Sequence, residues 1–309
     1  MANQLVHAGL RISTRRSYAS AQGQYAHFCA KYGLCPVPAT DTTVLRFIAF
    51  GHTRNWSPNT MQVYISAISA LHKLNGYKAP DLSGYQLKLA LRAYKQHSPA
   101  TKHCHPITIQ LLTDMIHLLH GHQLQHLWSA TLTLGYFAAL RGAEYTATPC
   151  GGSTCTAPTV SQLSFTIHKA APAMRLTLNT TKTSNEPVPV FIGCSKNTVC
   201  AVCMMTSYLQ LRATLGPILP SSYLLAFPDG RPVNKFQLNS IIKQLITKLG
   251  LNAAQYTSHS LRAGAATMAS RNGLSDVDIK KLGHWASEAY QTYIHKDTDS
   301  LFSYAARLT

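Results

Sequence analysis

Acidic side chains are scarce in this 309-residue chain: 11 Asp and Glu stand against 28 Lys and Arg, a formal charge of +17 before any of the 15 His protonates. Such a deficit excludes a polycationic partner and favours a polyanion, nucleic acid first, because a cationic excess of this kind attracts phosphate backbones whether or not bases are read. No run of about 18 apolar residues occurs, and the N-terminal "MANQLVHAGLRISTRRSYAS" lacks a signal-peptide core. Neither a membrane span nor secretion is therefore expected. Nor is there a disulfide framework: eight Cys at irregular spacings in so long a chain point to reduced thiols in an intracellular compartment. What is present is an apolar fraction of 46%, enough for one large domain or two ordinary ones with sizeable cores.

Four apolar-periodic segments open the chain, at Ile12–Tyr32, Asp41–Arg54, Pro58–Leu74 and Asp81–Gln96, and predict helices. Their breaks carry matching punctuation: "YGLCPVPATD" with a Thr/Asp cap, "NWSPN" with Pro at a first turn, "NGYKAPD" ending a helix at Gly. The third segment is expected to bury Val63, Ile65, Ile68 and Leu71. The polar, basic "YKQHSPATKHCHPIT" then lacks an apolar period and reads as an interdomain linker that can touch phosphate.

Helical spacing returns from Ile107. "LWSATLTLGYFAALRGAEY" predicts a buried helix ending in Arg141 and Glu144, either an ordinary ion pair or a cation aimed beside the core. "AMRLTLN" and "VPVFI" alternate as strands of a hairpin, with Lys182 at its turn, where a lysine is as readily just solvated. Four more helical segments follow, several ending at Gly, with "FPDGRPV" as a turn. Cys150 with Cys155 (C-x4-C) and Cys200 with Cys203 (C-x2-C) could together close a structural zinc site; the ordinary alternative is buried free thiols.

In "SHSLRAG", His259 and Arg262 share one helical face near a positive N-terminal end, a geometry suited to an anion. The plainer reading has His259 capping the helix and Arg262 paired with an acid. "LGHW" then places His284 at a helix terminus, nine residues before Tyr293, and Tyr290 lies one turn before that tyrosine.

With these residues in order, the chain resembles the tyrosine recombinases, or phage-type integrases, over nearly its whole length. In that family an Arg in "LR-x-x-E", a Lys on a hairpin turn, an "H-x-x-R" pair, a His or Trp after "LG" and a Tyr nine residues on form the active site. The pattern falls here on Arg141, Lys182, His259, Arg262, His284 and Tyr293. The resemblance implies a mainly α fold: a helical, SAM-like core-binding domain over 1–96, a basic linker over 97–106, and an α-rich catalytic domain with a small antiparallel β-sheet over 107–309. It also implies the chemistry. The two arginines and two histidines hold one DNA phosphate, Tyr293 attacks it to give a 3′-phosphotyrosine, and Lys182 protonates the departing 5′-oxygen. No cofactor is implied. The partner is double-stranded DNA, with four protomers on two sites and a monomer or dimer without DNA, in the nucleus of a eukaryotic host or the cytoplasm and nucleoid of a bacterium.

Ala263 and Gly264 follow Arg262 where many bacterial members carry His. Together with "LGHWASEAYQTYIH", this resembles the enzymes of eukaryotic mobile elements of the Crypton or Ngaro kind. Spacing favours Tyr293 over Tyr290 as nucleophile. The tail "KDTDSLFSYAARLT" has an apolar face that would dock in cis or on a neighbour. A type IB-like topoisomerase and a DNA-binding protein derived from a recombinase remain the alternative readings.

Overall fold

The structure, a computed structural model, describes residues 9–98, 104–148, 157–179, 181, 184, 186–195, 197–285 and 287–294. The expectations for Cys150, Cys155, Lys182 and the tail beyond Ile294 lie outside the described residues. The chain divides into two compact units, Met1–Lys102 and His103–Thr309. Among the described residues no helix is long and apolar enough to cross a membrane.

The first unit holds four helices, α1 (Ile12–Lys31), α2 (Asp41–Thr53), α3 (Pro58–Leu74) and α4 (Tyr85–His97). The sequence punctuation acts as expected. The Thr40 hydroxyl accepts the Thr43 N–H at 3.1 Å, and Ser57 caps α3 with Pro58 at its first turn. Helix α4 starts later than the apolar pattern suggested, because the Asp81 carboxylate takes the Ser83 N–H at 2.9 Å in a local turn. In α3 the inward face is Met61, Ile65, Ala67, Ile68 and His72, whereas Val63 is exposed. Val63 sits two residues from both Met61 and Ile65, about 200° round the helix, and cannot share their face. His72 is buried because both ring nitrogens are engaged: Nε2 accepts the Ala39 N–H at 2.8 Å, so Nδ1 carries the proton donated to Ile68 O.

The second unit is built round α6 (Gln125–Phe137), buried from Leu127 to Tyr136. Helix α5 (Ile109–His117) precedes it; α8 (Ala201–Leu215) and α10 (Ser258–Arg271) pack against it. Gly135 is required on α6, since a Cβ there would lie 2.2 Å from the Tyr145 hydroxyl. A three-stranded antiparallel sheet, β1 (Leu163–His168), β2 (Ala171–Leu178) and β3 (Val188–Gly193), covers one side. The expected hairpin is β2–β3, and its alternation is real: Met174, Leu176 and Leu178 are buried, in register with Ile192, Val190 and Val188. Helix α9 (Lys235–Lys248) and the short α11 (Asp276–Gly283) complete the unit, and a 3-10 segment at Glu288–Tyr293 follows.

Strand β1 is additional to the expected pair. It is an edge strand whose Phe165 and Ile167 stay largely exposed, and its two-residue turn is Lys169–Ala170, both left-handed at φ 48° and 59°. A turn of this class ordinarily shows itself through Asn-Gly, and neither residue is present. Each L-residue held there costs about 1–2 kcal/mol. Replacing the turn by Lys169→Asn with Ala170→Gly is expected to stabilise the chain by about 1–2 kcal/mol, read as a rise in melting temperature.

Candidate active site

The segment "FAALRGAEY" is not one continuous helix. Helix α6 stops at Phe137 in a Schellman-type cap: Ala139 is left-handed at φ 46°, and the Leu140 N–H reaches back to Gly135 O at 3.1 Å. Arg141 is therefore not the last residue of that helix. It is the N-cap of a separate single turn, α7 (Gly142–Tyr145), because the Glu144 carboxylate accepts both the Arg141 backbone N–H and its guanidinium, each at 2.8 Å. Glu144 is buried, while the Arg141 side chain keeps 17% exposure. The ordinary ion pair and the aimed cation are thus one arrangement: the carboxylate holds the arginine at both ends.

Helix α10 begins at a cap as well. Thr257, not His259, supplies it, its hydroxyl accepting the His259 N–H at 3.2 Å, and Asn239 on α9 accepts the Ser258 N–H at 2.8 Å. The plainer reading of His259 as cap is thereby excluded, and its half-buried side chain stands one turn before Arg262. Gly264 permits the position of this helix. A Cβ there would meet the Ile107 carbonyl oxygen at 1.8 Å, and the Ile107 N–H already donates to Ser260 O.

Arg262 has no exposed surface. Its guanidinium donates to Ala139 O, at the end of α6, and to Gly283 O at 2.5 Å, at the end of α11. Two helix C-termini, the negative poles of their dipoles, thus converge on one cation. The Trp285 ring stacks 3.9 Å from the guanidinium carbon, and the Tyr293 ring lies 5.8 Å from it. Surface acids do not hold Arg262, so the expected alternative of an acid partner fails. Its Nε donor has no partner among the described residues. Burial and the nearby Arg141 lower its pKa to about 10, with Glu144 and Tyr293 pulling the other way, so it stays cationic at neutral pH.

His284 sits where the "LGHW" spacing placed it, just past α11. It is left-handed at φ 53°, and the Trp285 N–H closes the cap onto Lys280 O at 3.0 Å. Gly283 is needed beside it, since a Cβ would lie 1.9 Å from the Trp285 ring. Burial, opposed by Glu144 and reinforced by Arg262 and Arg141, holds the His284 imidazole below its ordinary value. Arg141, Glu144, Arg262 and His284 are thus brought together, and Tyr293 lies beside Arg262. The net positive field suits an anion.

The two tyrosines separate cleanly. Tyr290 is fully buried with Ala139, Ala265, Ala266, Ala269, Ile279 and Trp285, whereas Tyr293 lies at the edge of that cluster, half-buried. Thr267 donates its hydroxyl to the Tyr293 carbonyl at 3.0 Å. Sequence reasoning missed Thr267 and Trp285 as positioning residues; the Trp after "LGH" was the one signal available.

Two outcomes follow. Glu144→Ala leaves Arg141 beside Arg262 without its carboxylate and is expected to cost on the order of 3 kcal/mol of stability, measured by urea denaturation. His284→Asn retains a residue tolerant of the left-handed cap. Because the folded-state pKa of His284 is depressed, the unfolded chain binds the proton first as pH falls through about 6.5, and stability drops there. The variant is expected to show a shallower loss of melting temperature between neutral pH and pH of about 5.5 than the parent.

The profile of the phage integrase family matches residues 174–300, a segment that holds every expected site position except Arg141. No curated protein matches the chain in sequence. Many solved structures are similar in fold, three DNA complexes among them. The Tn1549 transposon integrase in complex with transposon right end DNA has 13% identity and a TM-score of 0.64, over 99% of this chain and 97% of that one. The XerH site-specific recombinase bound to palindromic difH substrate has 14% identity and a TM-score of 0.58, over 87% and 70%. A lambda integrase dimer bound to a COC′ core site has 12% identity and a TM-score of 0.57, over 95% and 75%. Residues 174–300 are a phage integrase family domain, and the chain has the fold of the tyrosine recombinases.

Proposed function

We propose that this chain is a site-specific DNA recombinase that cuts and rejoins duplex strands through a 3′-phosphotyrosyl link to Tyr293. The observation that carries the reading is the buried Arg262, fixed by two helix C-termini 5.8 Å from the Tyr293 ring, with Arg141 beside it. Arg141, the partly exposed cation, meets the non-bridging oxygens of the scissile phosphate. Arg262 beneath it supplies fixed positive charge as the pentavalent transition state gathers negative charge. His259 and His284 donate further hydrogen bonds.

The Tyr293 phenol gives up its proton to solvent as its oxygen forms a bond to phosphorus, and the bond to the 5′-oxygen breaks. The leaving oxygen takes a proton from Lys182, whose place in the β2–β3 connection supports that role. A 5′-hydroxyl from another strand reverses the step. The number of phosphoesters is conserved, so exchange requires no nucleotide hydrolysis. The net charge of +17 supports duplex DNA as substrate, and similarity to a transposon integrase supports work on a mobile element. The "LGHW…AYQTYI" signature supports a eukaryotic element of the Crypton or Ngaro kind, hence the nucleus, with four protomers assembled on two sites.

Suicide substrates nicked near candidate element ends test this reading. The parent and Tyr290→Phe are expected to trap a covalent DNA adduct, and Tyr293→Phe none. Loss only in Tyr290→Phe transfers the nucleophile. Relaxation of any plasmid without joining of two sites makes the chain a topoisomerase, and tight binding without adduct a DNA-binding protein.

A further inference from the structure

The thiols at the end of β3 and the start of α8 have no part in this chemistry, and one of them was not singled out in the sequence. Cys200 and Cys203 do come together, and the third thiol beside them is Cys194, one residue past β3. The Cys194 sulfur lies 3.5 Å from that of Cys200 and 3.8 Å from that of Cys203, and all three lie within 4.8 Å of one another. A disulfide needs sulfurs about 2.05 Å apart. Tetrahedral zinc with Zn–S bonds of about 2.3 Å instead places its sulfurs about 3.8 Å apart, close to the two spacings here.

From this geometry we propose that Cys194, Cys200 and Cys203 bind one zinc ion through their three thiolates.

The backbone makes the same case. Cys200 is the N-cap of α8, a 15-residue helix, and Cys203 lies in its first turn, so the thiolates gather at the positive end of a dipole. An ion can enter, because Cys203 is exposed and Cys194 half-buried. As each S–Zn bond forms, the corresponding S–H proton passes to solvent, so binding weakens with falling pH. Zinc here ties the end of β3 to the start of α8.

Titration of the reduced, metal-free full-length chain with cobalt(II) tests the site. One equivalent is expected to give thiolate-to-cobalt charge-transfer absorption and the intense visible bands of tetrahedral cobalt, displaced by zinc. Cys200→Ser keeps a good N-cap residue, and Cys203→Ser changes an exposed side chain, so both variants are expected to fold, checked by circular dichroism. Each is expected to weaken cobalt affinity by about tenfold or more and to lessen the rise in melting temperature that zinc gives the parent. Absence of the thiolate band in the parent, or its persistence in a Cys194→Ser, Cys200→Ser, Cys203→Ser triple variant, would overturn the proposal.

Discussion

The arrangement depends on one buried cation. Among the described residues no acid is bonded to Arg262; it is held by the carbonyls that end α6 and α11 and by the face of Trp285. Removing a guanidinium from water costs several kcal/mol, and carbonyl dipoles at two helix ends offset that cost without cancelling the charge. A carboxylate partner would neutralise the field. Among the described residues the carboxylate beside Arg262 is that of Glu144, and it is bonded to Arg141, so the net charge there stays positive.

Both helix ends reach Arg262 through left-handed residues that are not glycine, Ala139 and His284. Each conformation is unfavourable for an L-residue, and the surrounding packing must hold it. That packing is unusually fine-grained: Ala265, Ala266 and Ala269 on α10 let Trp285 and Tyr290 approach closely, and Gly283 leaves room for the Trp285 ring. Strain and close packing coincide with the residues nearest Tyr293. At His284 the same conformation carries an imidazole into the group of charges, so the cap is also part of the site.

Much of the fold was legible. Periodicity and caps marked the helices of the first unit, and alternation marked β2 and β3, because burial there follows local repeats. Two of the misses share a cause: positions that took an unfavourable conformation without its usual residue. Ala139 ended α6 with no Gly to announce it, and Lys169–Ala170 made a tight turn with no Asn-Gly. Val63 failed because apolar character was taken for inward orientation, and the helix angle decides orientation.

At the site, residue types and spacings alone determined which side chains are candidates: His259 and Arg262 on one helix, His284 and Tyr293 nine apart, Arg141 far upstream. They also determined the strong positive charge and the order of elements. Tertiary structure decided where each described candidate sits and what it meets. It buried Tyr290 and left Tyr293 at the edge of the cluster, gave Glu144 to Arg141, brought Cys194 beside Cys200 and Cys203, and set Arg262 between two helix ends. Those outcomes rest on contacts between residues far apart in the chain. Local spacing determines which face of a helix a side chain shares, but only packing determines what that face meets.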